Sequence, residues 1–141
     1  MVHALDEVRR VLVPGGILID IRPLSNRWPI EVASTRGARE TGRVDDFPEP
    51  LNADRASNEA MNEVEARDWF KREQEGHFPF FYSWDTPSEM EEFVSEDWSD
   101  FVELNEDAKM RTRSAWASAD ADARVRVKVR ILITRWTVIK G

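Results

Sequence analysis

Two histidines, no cysteine and a single pair of adjacent glycines bound the chemistry open to this chain. His3 and His77 stand far apart, neither beside a carboxylate motif, so each reads as a structural or surface residue rather than a base or ligand. Without cysteine there is no disulfide, no thiolate metal ligand and no thiol nucleophile. Asp120-x-Asp122 lacks the glycine and distal glutamate of a calcium loop, and no serine sits in a nucleophile elbow. No Gly-x-Gly-x-x-Gly occurs. Gly15-Gly16 precedes an apolar run instead of following one, a placement that cannot cradle a nucleotide. No catalytic, cofactor-binding or metal-ligating residue is therefore expected. Phe78, Phe80, Tyr82 and Trp84 are of a type that stacks on bases, but aromatic residues at strand spacing belong in a core.

The elements that would position any site follow from periodicity. Residues 2–13 predict a helix with Leu5, Val8, Val11 and Leu12 on one face, stopped by Pro14-Gly15-Gly16. Ile17, Leu18, Ile19 and Ile21 form a near-continuous apolar run, interrupted by Asp20 and closed by Arg22-Pro23. That pattern predicts a strand covered on both faces, as in a parallel sheet. Residues 29–34 and 38–45 suit a hairpin around Thr35-Arg36-Gly37, and Pro48 and Pro50 a connector. A helix is expected over 57–75, with Met61, Val64, Trp69 and Phe70 as its stripe. A strand follows with its aromatic alternation, where Pro79 restricts it to an edge or an end. Thr86-Pro87-Ser88-Glu89 spells a helix start, with Met90, Phe93 and Val94 inside. A short strand over 101–104 and a helix over 106–117 come next. From 124 to 133 valine and isoleucine alternate with Arg124, Arg126, Lys128 and Arg130, a strand with one cationic face that runs on through Trp136 and Val138.

The chain of 141 residues suits one domain, with 41% hydrophobic and 33% charged residues and no apolar run of membrane-spanning length. The first dozen residues carry Asp6, Glu7, Arg9 and Arg10, unlike a secretory signal, so the cytoplasm is the expected compartment. The net charge of -7 hides a segregation. Residues 1–108 hold 11 basic and 25 acidic side chains, whereas residues 109–141 hold 9 and 2; residues 85–107 contain ten acids and no base. Such a division predicts internal pairing of tail and acidic segment, and makes nucleic acid an unfavoured partner because phosphate must displace carboxylates already present.

Residues 3–22, HALDEVRRVLVPGGILIDIR, resemble a passage of class I S-adenosylmethionine-dependent methyltransferases in which "AL-x-E-x-x-RVL-x-PGG-x-L" leads into the fifth strand. The order that follows, an insertion, an aromatic FYSWDTPSEM segment entering a helix and a closing strand, is similar to the C-terminal half of such enzymes. The resemblance implies an α/β fold with a small mixed sheet and flanking helices, residues 1–141 forming a partial methyltransferase-like domain with a variable insertion over 24–75. It implies a substrate pocket beyond the carboxyl ends of the strands, which makes Arg22, Asn26 and Trp28 the candidate pocket residues. Their bland alternative is a solvated loop with one packed tryptophan. The cofactor, S-adenosylmethionine, would be bound only with a missing N-terminal half, whose glycine-rich loop and acidic residue have no counterpart here. The missing fourth strand would leave an apolar edge that a homodimer partner, or a separate N-terminal half-domain, covers. The expected function is a truncated or split methyltransferase-like protein, inactive alone. The alternatives are an oligomeric interaction or regulatory module of the same ancestry and nucleic-acid binding through the basic strand.

Overall fold

The opening helix α1 (Val2–Val11) turns Leu5 inward and ends where Leu12 becomes extended. Gly15 takes a φ of +77°, which a side chain resists, and a Cβ on Gly16 would lie 2.9 Å from the Val13 carbonyl oxygen. The turn is pinned to the last strand: the Gly15 amide donates to the Val138 carbonyl at 3.2 Å, and the Val138 amide to the Gly16 carbonyl at 2.8 Å. A helix stop and the end of the chain's longest apolar alternation thus form one junction.

The computed structural model describes residues 1–140 and divides into two compact units. After α1 come β1 (Ile17–Leu24), β2 (Pro29–Ser34), β3 (Gly37–Arg43), β4 (Asp45–Asp46), α2 (Pro48–Ala66) and β5 (Phe70–Trp84). Then follow α3 (Pro87–Asp97), β6 (Val102–Glu103), α4 (Glu106–Ala117) and β7 (Arg124–Val138). The class is α/β, with four helices among the described residues and mostly antiparallel pairing: β2–β3 and β2–β7 in a five-stranded sheet, and β4–β6 in a separate two-stranded one.

The first unit comprises Met1–Leu24, Asn52–Phe78 and the chain from Ile131 onward. Its core gathers Leu5, Met61, Val64, Phe70, Trp136 and Val138, with Leu18 and Trp69 packed at the margin. β1 and β5 both pair with β7. The expectation of a doubly covered strand is corrected here. Leu18, Asp20, Arg22 and Leu24 are half-buried, but Ile17, Ile19 and Ile21 on the other face are 48%, 48% and 57% exposed. β1 also ends its strand path, with β7 as its one strand neighbour among the described residues. An apolar run reports β-branched packing surface, not whether a second layer arrives to cover it.

A second correction concerns 48–75. The helix begins at Pro48, since proline is tolerated in a first turn, and stops at Ala66, not near 75. Asp68 adopts a φ of +56°, and the Trp69 amide donates to the Val64 carbonyl at 3.0 Å, closing the helix so that Phe70 starts a strand.

The second unit comprises Ser25–Leu51 and Pro79–Arg130. The predicted hairpin is present, with Ser34 opposite Gly37 around Thr35-Arg36 and a register shift between Ile30 and Glu31. Val125, Val127 and Val129 of β7 are buried. In an aromatic group Trp98 meets Tyr82, Phe93 and Trp28 edge-on, with centroids at 4.9, 5.3 and 5.2 Å, but Phe78, Phe80 and Tyr82 stay exposed, not in the core expected of them. The Glu89 amide donates to the Thr86 hydroxyl at 3.2 Å, the cap its sequence predicts, and the Glu89 carboxylate accepts the amide of Asp85, one residue before the cap, at 3.1 Å. Acidic segment and basic tail do pair, Arg124 with Asp85 at 3.1 Å and Arg113 with Glu91 at 2.5 Å; the Glu91 hydrogen bond holds the Arg113 pKa above its usual value.

Candidate functional site

On the helix-covered face of the first unit, alternate residues of β7 (Leu132, Thr134, Trp136) form the floor of a pocket of about 320 Å³. The strands that pair with β7 supply walls: Arg22 from β1, and Arg72, Glu75 and His77 from β5. One turn of α2 brings Asn58 and Asn62, four residues apart and therefore on one helical face, to the rim. Met61 between them is 2% exposed and anchors that turn in the core.

The two arginines are held in matching ways. Arg22 Nε donates to both oxygens of Asp20 at 3.0 Å, and its Nη2 donates to Asn58 Oδ1 at 3.1 Å. Arg72 Nη2 donates to Asn62 Oδ1 at 3.1 Å, its Nε to Glu65 at 3.3 Å and its Nη1 to Glu75 at 3.5 Å. Thr134 also donates to Glu75, at 3.4 Å. Both asparagine oxygens are thereby engaged by arginine, which leaves their amide nitrogens as donors. Two further donors are unmatched: Arg22 Nη1 and Trp136 Nε1 are buried with no acceptor among the described residues. Buried polar groups are nearly always paired, because an unpaired one costs about 1–3 kcal/mol. The pocket is therefore rich in donors and poor in acceptors.

Of the three residues expected at a pocket, the structure brings Arg22 into one. Asn26 is exposed on the segment between β1 and β2, and Trp28, 8% exposed, belongs to the aromatic group of the second unit; neither lines this pocket. Arg72, Asn58, Asn62 and Trp136 escaped sequence reasoning. The i,i+4 spacing of the two asparagines was a usable signal. Arg72 was not accessible, because it falls in the stretch whose periodicity mimicked helix. A second hollow of about 370 Å³ in the other unit is bordered by Ser34, Arg36, Arg39 and Asp120. There Ser34 donates to Asp120 at 3.2 Å and Arg36 lies 3.6 Å from it, so two of its polar groups are turned onto that carboxylate.

Among the described residues no three His, Cys, Asp or Glu side chains are grouped to hold a metal ion, and no helix is long and apolar enough to cross a membrane. The geometry offers recognition: charged and amide donors set around a floor of Leu132, Thr134 and Trp136. No family model, curated protein or solved structure matches the chain.

Proposed function

We propose that the chain is the substrate-side portion of a class I S-adenosylmethionine-dependent methyltransferase-like domain, without catalytic activity of its own. One observation carries the reading: residues 3–22, where the resemblance lies, fold as helix, glycine turn and strand, and that strand ends the sheet with three exposed isoleucines. An edge strand with an apolar face is a surface prepared for another layer or strand. The cofactor would be held by residues supplied from outside this segment, since no glycine-rich loop follows any strand here. Arg22, at the carboxyl end of β1, would then contribute to substrate binding.

A non-catalytic interaction module is the second reading, favoured by the same isoleucine face. In either case a second copy of the chain or a cofactor-binding half-domain covers β1. Titrating S-adenosylmethionine into the purified chain by calorimetry tests the proposal, and no heat of binding is expected. Saturable binding by this chain unaided would overturn it. Light scattering separates the partners: a dimer that Ile19→Lys dissociates identifies the second copy, whereas a folded monomer unaffected by Ile19→Lys leaves the half-domain as the partner to seek.

A further inference from the structure

We infer that the pocket on β7 is a binding site for a small monocarboxylate, with Arg22 as its anchor. The polar inventory selects the ligand. Arg22 Nη1, Trp136 Nε1 and the amide nitrogens of Asn58 and Asn62 are donors that no protein acceptor is shown to occupy, whereas Glu75 is already engaged by Arg72 and Thr134. Such a site takes an acceptor. A carboxylate is the strongest fit, because a guanidinium offers it parallel charged donors, and charge-assisted bonds are about twice as strong as neutral ones.

The charge balance limits the ligand to one negative charge. Arg22 is already shared with Asp20, and Arg72 with Glu65 and Glu75, two positive charges against three negative, so every further negative charge on a ligand is opposed. A phosphate dianion would meet these carboxylates at short range and has no unshared arginine to hold its second charge. Leu132, Met61 and Trp136 lie beneath the pocket, almost fully buried and with the Arg72 guanidinium over Trp136, and about 320 Å³ sits at the small end of ligand cavities. The ligand is thus a compact organic acid. The biological role of the site rests on the substrate-side reading of Arg22. Its existence rests on the pocket alone, so the carboxylate test and the cofactor titration fail independently.

The experiment uses the full chain, isotopically labelled, with benzoate as probe and benzamide as its neutral isostere. Indole N–H signals are followed by NMR, and Trp136→Phe assigns the one of interest. Benzoate is expected to shift the Trp136 signal saturably, and benzamide to bind at least about tenfold more weakly. Arg22→Met should weaken benzoate at least about tenfold. Asn58→Asp, at an exposed position that spares the core, should do the same by placing a carboxylate on the Arg22 fork. Absence of a saturable Trp136 shift in the folded protein, equal affinity for benzamide, or full affinity in Asn58→Asp would each overturn the assignment.

Discussion

The Arg72 guanidinium lies 4.7 Å from the centroid of the Trp136 ring, so a cation from β5 covers an indole that is only 1% exposed on β7. The same guanidinium reaches Asn62 of α2. One side chain therefore ties together two strands and the helix above them, and its planarity matters as much as its charge.

Arg72→Ala is expected to destabilise the protein by about 1–2 kcal/mol, as the cation–π contact, the helix contact and the screened ion pairs are lost together. Arg72→Lys should recover less than half of this, because an ammonium cannot stack on Trp136 while bonding to Asn62. Urea denaturation followed by tryptophan fluorescence measures both.

Thr41 and Thr112 are 6% and 0% exposed, and their hydroxyls share a hydrogen bond of 2.7 Å that joins β3 to α4. Thr41→Val should cost about 1–3 kcal/mol, since the Thr112 hydroxyl is stranded, and Thr112→Val less, since Thr41 still donates to the Ile30 carbonyl at 3.4 Å. Thr41→Val/Thr112→Val together should cost less than the sum of the single changes. A double-mutant cycle in urea reads the coupling, and strict additivity would argue against the bond.

Gly42 lies where β3 passes close against α4: a Cβ there would stand 2.9 Å from the Ala108 Cβ and 3.2 Å from its Cα. Gly42→Ala should destabilise by about 1–3 kcal/mol through overpacking. Adding Ala108→Gly should lessen the effect of Gly42→Ala, despite the loss of helix propensity at 108. Thermal melts of the two single variants and the pair decide this.

Asp122 accepts the Thr35 amide at 2.9 Å, and that bond holds its pKa below the ordinary 3.8. A depressed folded value contributes stability that is fully present above pH 3.8 and is lost as pH falls through the folded value. Asp122→Ala should therefore lower stability at neutral pH slightly and flatten the acid limb below about pH 4. Denaturation midpoints across that range, with a carboxyl NMR titration of Asp122, check the prediction.

Local features of the chain were open to reading from residue order, and each has a short-range cause. The Thr86–Glu89 cap, the Gly15-Gly16 turn, the β2–β3 hairpin and the alternation of β7 as far as Val129 all depend on neighbours within a few positions; beyond Val129 burial passes from the expected Ile131 and Ile133 to Leu132, Thr134 and Trp136. The boundary between α2 and β5 did not have that property. Residues 67–75 carry the charged, helix-favouring composition of α2, yet Phe70 enters the core beside Trp136 and takes the strand with it, so packing outweighs propensity.

The site divides along the same line. Arg22 was legible because it closes an apolar strand, and a strand's end is where a sheet opens to ligand. Its partners were not, because Asn58, Arg72 and Trp136 meet it through α2, β5 and β7, which are distant in sequence. Periodicity specifies which side of a strand is apolar. Whether that side meets a helix, as Leu18 does, or remains open, as Ile19 does, depends on where the other elements come to rest, and no local pattern encodes that placement.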